Sequence, residues 1–168
     1  MKPILLSFLL LVTISGFAQA DKSKRPSPPA IVTETLNNGT VVTIDYSQPS
    51  LKGRAIGTEI APYGEVWRTG ANEATVFEVS KDVKVEGQSL PAGKYGLYSI
   101  PGEKEWVFIF NKTWNQWGTR YSETDDALRV KVVPGKSASA TEKMTFTINK
   151  SGIVSLMWGD VQVDFRVE

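Results

Sequence analysis

From about Ile31 to its end the chain shows no apolar stripe at helical period, and this limits the fold more than any other feature. Short apolar or alternating runs are separated instead by turn residues. Val41-Val42-Thr43-Ile44-Asp45-Tyr46 follows Asn38-Gly39, which predicts a two-residue hairpin turn. Val76, Phe77 and Val79 mark a second run, and Val83-Lys84-Val85 alternates ahead of Gly87. Tyr95 to Ile100 follows Pro91-Ala92-Gly93, a turn signal with proline ahead of glycine. Trp106 to Phe110 is continuously apolar, which predicts burial on both faces. Leu128 to Val132, Met144 to Ile148 and Val161 to Val167 alternate, with turns at Lys150-Ser151-Gly152 and Gly159-Asp160. The sum is about nine or ten short strands in an all-β, antiparallel β-sandwich of one domain. Thr113 to Leu128 reads mainly as loop, and Pro134 to Thr141 as a Gly/Ser/Ala loop.

Ahead of this pattern, MKPILLSFLLLVTISGFAQA has the three parts of an export signal. Lys2 is the positive start, Ile4 to Val12 the apolar core, and Ala18-Gln19-Ala20 the small-x-small cleavage pattern. The apolar run falls short of the roughly 20 residues that span a bilayer. Cleavage after Ala20 leaves residues 21–168, with no membrane span and no cysteine for a lipid anchor. Residues 21–30 combine Lys22, Lys24 and Arg25 with Pro26, Pro28 and Pro29, and read as a flexible lead-in to a domain over 31–168. The expected location is the periplasm, with secretion as the alternative.

Charge and composition exclude several functions. All 18 acidic residues follow residue 20, and loss of Lys2 leaves 18 basic ones, so the mature chain is neutral and no nucleic-acid partner is expected. The chain has no cysteine and no histidine. Disulfides, thiol chemistry and Cys/His zinc sites are therefore excluded, and the commonest general base is missing. No metal site or cofactor is expected.

Two polar-aromatic clusters remain as candidate sites. Gly64-Glu65-Val66-Trp67-Arg68-Thr69-Gly70-Ala71-Asn72-Glu73-Ala74-Thr75 has a tight connection at Gly70-Ala71-Asn72, where Gly70 can take positive φ and Asn72 tolerates the left-handed region. In one reading Arg68 and Glu73 pair across the corner while Asn72 satisfies backbone groups, which makes the stretch a clasp. In the other, Trp67, Arg68, Asn72 and Glu73 converge on a ligand, with Arg68 offering a fork of donors to a carboxylate or phosphate. The second cluster runs from Asn111 to Tyr121 and holds Trp114 and Trp117 beside Asn115 and Gln116. Tryptophan faces beside amides suit a sugar ring or another flat polar ligand; the alternative is that both rings plug the end of the sandwich.

Catalysis fares worse. Without histidine, acid–base work needs paired carboxylates, for which Asp125-Asp126 and Glu103/Glu105 are the local candidates. No serine sits in a G-x-S-x-G setting, and no calcium-loop pattern is present.

Four segments carry a resemblance. They are Tyr46-Ser47-Gln48-Pro49-Ser50-Leu51-Lys52-Gly53-Arg54, Pro62 to Thr75, Leu90-Pro91-Ala92-Gly93-Lys94-Tyr95 with Ile100-Pro101-Gly102, and Phe110-Asn111-Lys112 to Trp117-Gly118. Together they resemble a family of exported bacterial proteins catalogued as domain of unknown function 2911, from about Ile31 to the C-terminus. The resemblance implies export, mostly in Gram-negative bacteria, and a β-sandwich; it supplies no catalytic residue. The expected function is a non-catalytic, exported binding or interaction module for a small polar ligand such as a sugar. The alternatives are a carboxylate-dependent hydrolase of envelope glycans and a structural envelope protein acting through a partner chain.

Overall fold

The alternating runs become twelve strands in a computed structural model that describes residues 21–168. The expected signal sequence lies outside the described residues. The strands are β1 (Pro29–Thr35), β2 (Val41–Ser47), β3 (Ile56–Gly57), β4 (Ile60–Pro62), β5 (Thr75–Val79), β6 (Val83–Val85), β7 (Gln88–Leu90), β8 (Gly93–Ile100), β9 (Trp106–Asn111), β10 (Asp126–Val132), β11 (Gly135–Ile148) and β12 (Ile153–Arg166). Among the described residues there is no α-helix, only the 3-10 turns Lys22–Lys24 and Glu123–Asp125, and no helix long and apolar enough to cross a membrane. The strands beyond the expected nine or ten are two or three residues long, too short for a periodic signal.

Six strands form one antiparallel sheet in the order β1-β2-β5-β8-β9-β10. The long β11–β12 hairpin lies over one face of it. Phe165 of β12 reaches Phe77, Phe108 and Phe110 of the sheet at ring-centroid distances of 6.0, 4.8 and 5.8 Å. Phe146 of β11 meets Tyr46 of β2 edge to face at 5.1 Å, and its backbone N–H donates to the Tyr46 hydroxyl at 3.0 Å. The second layer widens at both sides. Lys84 and Glu168 exchange backbone hydrogen bonds of 2.8 Å, which joins β6 to the chain after β12. Leu51 N–H donates to Glu142 O at 3.0 Å and Met144 N–H to Pro49 O at 2.9 Å, which ties the chain after β2 to β11. The result is the expected sandwich, with its apolar core between the layers.

A second, smaller core lies on the opposite face of β8 and β9. Ala74, Tyr98 and Ile109 are buried there, with Ile100, Val107 and Tyr121 packed against them. This accounts for the continuous apolar run at Trp106 to Phe110: Trp106, Phe108 and Phe110 face the hairpin while Ile109 faces the loop over residues 112–121.

Three local expectations are corrected. Gly159-Asp160 is not a turn but lies inside β12, where Gly159 pairs with Thr141 beside a register shift. Asn38-Gly39 is not a two-residue turn. Leu36 N–H bonds to Thr40 O at 2.8 Å, so Asn37-Asn38-Gly39 closes a three-residue loop, with Gly39 at φ 78°. Residues Gly135 to Thr141 are not a loop but the start of β11, paired across to Gln162, Val161 and Gly159 with a register shift between Lys136 and Thr141. Backbone hydrogen bonding holds this arm, so its small polar side chains gave no strand signal.

Candidate functional site

The corner from Pro62 to Thr75 begins as an added rung on β8. Trp67 and Ser99 exchange backbone hydrogen bonds of 2.7 and 2.8 Å. Side chains of successive extended residues point to opposite faces. Trp67 therefore turns inward, stacked on Trp158 at 5.4 Å and edge-on to Trp106 at 6.5 Å. Arg68 turns to the other face, beside Tyr98 and Tyr121. The left-handed positions of the corner are Gly64 at φ 78°, Thr69 at φ 48° and, as expected, Asn72 at φ 61°, but not Gly70. Gly70 is needed for closeness: a Cβ there would lie 2.7 Å from Thr75 Oγ1 and 3.2 Å from Ser47 O. Buried hydroxyls complete the corner, Thr69 donating to Ser99 Oγ at 2.9 Å and Thr75 donating to Thr69 O at 2.9 Å.

The pairing foreseen between Arg68 and Glu73 does not form. Glu73 takes Arg25 Nη1 at 2.7 and 3.0 Å and Lys22 Nζ at 3.1 Å. The segment read as a flexible lead-in thus lies against the corner, and Asn72 Nδ2 adds a hydrogen bond to Ser27 O at 3.1 Å. The corner is a clasp, but its partner is the chain entering β1. On its other side Glu73 bridges to Trp117 in backbone pairing, Ala74 N–H donates to Gln116 O at 3.0 Å, and Gly118 N–H donates to Asn72 O at 3.0 Å. The two clusters read separately in the sequence are therefore neighbours.

Between them opens a groove of about 420 Å³. Glu73, Asp45, Trp114, Gln116 and Trp117 line it, with Lys22 and Arg25 at the Glu73 end. Trp114 is 37% exposed and Trp117 46%, so the alternative that both rings plug the sandwich end is not what the structure shows. Lys94 Nζ sits 5.3 Å from the Trp114 ring and also pairs with Glu78 at 3.3 Å. Of the six candidate site residues, Glu73, Trp114 and Trp117 converge here. Trp67 packs half-buried against the core, Asn72 serves the corner, and Arg68 lines a different cleft.

Asp45 escaped notice in the sequence. Its only signal is alternation: Ile44 and Tyr46 are buried, so Asp45 points to the opposite face, next to Val76 of β5. Burial raises the Asp45 carboxyl above its ordinary range and Glu73 adds to the rise, against Lys22 and Lys94. Burial also works to raise Glu73, but the Arg25 guanidinium, its own backbone N–H and Lys22 outweigh it and bring it down to about 2. A carboxylate depressed by folding contributes stability above its unfolded pKa and loses it as pH falls through the folded one. The Arg25 and Lys22 contacts are therefore expected to hold above pH ~4.5 and to loosen as pH falls toward 2. An NMR titration following the Glu73 carboxyl and the Arg25 and Ser27 amides checks this. A midpoint near 4.5 would refute the pairing. The pair is partly exposed, so the accompanying loss of stability is expected to be at most about 1 kcal/mol.

Asp126, a candidate acid with Asp125 in the sequence, has a different part in the structure. Tyr121 Oη donates to it at 2.7 Å, Arg129 Nε at 2.8 Å and Asn111 Nδ2 at 2.9 Å. Burial and the Asp126 carboxylate lift the Tyr121 phenol to about 12, so it remains a donor. This network pins the far end of the 112–121 loop. Among the described residues no cluster of three His, Cys, Asp or Glu could hold a metal ion.

An all-β sandwich with a groove between an N-terminal corner and an aromatic loop is the class that fold and site define. The chain belongs to the family described as protein of unknown function DUF2911, whose model matches residues 27–167. No curated protein and no solved structure matches it significantly.

Proposed function

We propose that the protein is an exported, non-catalytic binding module for a small polar ligand, a sugar before others, and that the groove beside Trp114 and Trp117 receives it. The observation that carries this reading is the exposure of both tryptophans on a groove that also presents an amide, Gln116, and two carboxylates, Asp45 and Glu73. The apolar C–H face of a sugar ring fits an indole face, and its hydroxyls fit carboxylate and amide acceptors. The groove volume lies within the range of small-molecule sites. Each part sits on a fixed frame: Asp45 on β2, Glu73 on the corner, and the tryptophans on a loop fastened at Gln116 to Tyr98 Oη at 3.1 Å and at Tyr121 to Asp126.

A thermal-shift screen with envelope sugars and glycan fragments tests it. A ligand at 100 times its Kd should stabilise the fold by about 2.7 kcal/mol. Trp114→Ala and Trp117→Ala should each weaken the hit by about 1–2 kcal/mol, or roughly 5- to 30-fold, with little change in the melting of the free protein. A hit insensitive to both substitutions, or a panel without hits, refutes the groove as the site.

One observation favours a second reading. Asp45 and Glu73 line the same groove with their carboxyls pushed in opposite directions, as an acid and its ionised partner would be. A glycan hydrolase would show products in the samples of the same screen, lost in Asp45→Asn; intact ligand in every sample leaves the binding reading alone.

A further inference from the structure

Arg68 is a cation with no counter-ion. None of the ion pairs or side-chain hydrogen bonds among the described residues involves it, and its Nε is buried without an acceptor. Taking a guanidinium N–H out of water without a partner costs free energy, and partly buried arginines are ordinarily paired. The position is nonetheless built. Trp67 is fixed by its rung on Ser99, so the next side chain has to leave on the outer face. There it lies across Gly118, where a Cβ would come within 2.2 Å of Arg68 Cδ and 2.9 Å of Arg68 Cβ and Asn72 O. Only glycine leaves the channel that Arg68 occupies.

Arg68 lines a cleft of about 340 Å³ distinct from the tryptophan groove, with Gly118 and Thr119 lining the one and Gln116 and Trp117 the other. Val66 and Tyr121 give it apolar and aromatic sides, over the buried Tyr98, with Thr119 at the rim. No acidic residue lines it. The Tyr121 hydroxyl donates to Asp126 and accepts from Arg129, and the Tyr98 hydroxyl, which accepts from Gln116, is fully buried. The cleft therefore presents one unpaired planar cation among apolar walls.

We propose that this cleft is a second binding site, for a small organic acid whose carboxylate pairs with Arg68 and whose apolar body lies against Tyr121 and Val66. A fork of parallel N–H donors matches a carboxylate in two-point contact, and the walls favour an apolar body over a hydrated inorganic anion. The site does not depend on the sugar reading, since no residue lines both clefts.

The test is an NMR titration of the protein with benzoate, with neutral benzamide of the same shape, and with inorganic phosphate. Benzoate is expected to shift the Gly118 and Thr119 amides saturably, and benzamide to bind at least about tenfold more weakly, as loss of a charge-assisted hydrogen bond requires. Arg68→Gln should remove the benzoate shifts, and Arg68→Lys should restore them only in part. Equal shifts from benzoate and benzamide, no saturation at these amides, or unchanged benzoate binding in Arg68→Gln would overturn the site. Saturation by phosphate but not benzoate would overturn the organic-acid assignment. If Arg68→Gln does not fold, the benzoate–benzamide comparison on the unaltered protein decides alone.

Discussion

Phe165→Ala is expected to lower stability by about 3–5 kcal/mol, the range for deleting a fully buried aromatic ring. Phe165 is 1% exposed and touches three phenylalanines, Phe77 on β5 and Phe108 and Phe110 on β9. It is the ring that fastens the hairpin to the middle of the six-stranded sheet. The cavity left behind would have rigid walls, because Phe77, Phe108 and Phe110 stand on strands laddered on both sides. Little collapse can offset the loss, which places the cost toward the upper end. Urea denaturation should show a lower midpoint with the slope unchanged. A loss under about 1 kcal/mol would mean that the hairpin is held by its edges, at β6 and at residues 49–51, rather than by this contact.

Core strands are legible in the sequence where side chains alternate, as in Val41 to Tyr46, or run continuously apolar, as in Trp106 to Phe110, and both are strands. Val161 to Arg166 is strand too, but as the end of one long β12. What escaped was pairing that leaves no side-chain pattern. Gly135 to Thr141 is strand by backbone bonding alone, and Ile56–Gly57 is too short to alternate. The loop over residues 112–121 lacked a period because it covers the outer face of β8 and β9 with Tyr121 and fastens by Gln116, a task set by tertiary contact.

The candidate site was legible as residue types and not as partners. Trp114, Trp117 and Glu73 meet in one groove, although the two motifs were read apart. Their union depends on Glu73 pairing with Trp117 in backbone, which a single sequence does not announce. Arg68 and Glu73, five apart, read as a natural ion pair, yet the extended backbone at Trp67 sends Arg68 to the outer face. Glu73 is satisfied instead from a segment about fifty residues upstream, through Arg25. Asp45 was hidden in an ordinary alternating strand, where an outward acid normally means only solvent.

Trp158→Ala carries the other large expected effect, again about 3–5 kcal/mol. Trp158 is 1% exposed, and its ring lies parallel to Trp67 at 5.4 Å and 11°. Its Nε1–H donates to Glu142 O at 3.2 Å, but that carbonyl also accepts Leu51 N–H, so truncation leaves no orphaned acceptor and the cost is one of packing. Trp67 is only half buried, so Trp67→Ala should cost less, about 2–3 kcal/mol. The double variant should cost less than the sum by about 0.5–1.5 kcal/mol, the interaction of a stacked pair. Ligand affinity at the tryptophan groove should not change in Trp67→Ala, since Trp67 does not line it. A Trp67→Ala protein that melts normally but no longer binds would move Trp67 from the core to the site. With the expected pattern, the Trp67-Arg68 pair divides its labour by strand geometry: one side chain closes the sandwich, and the next faces the cleft where its charge is left without a partner.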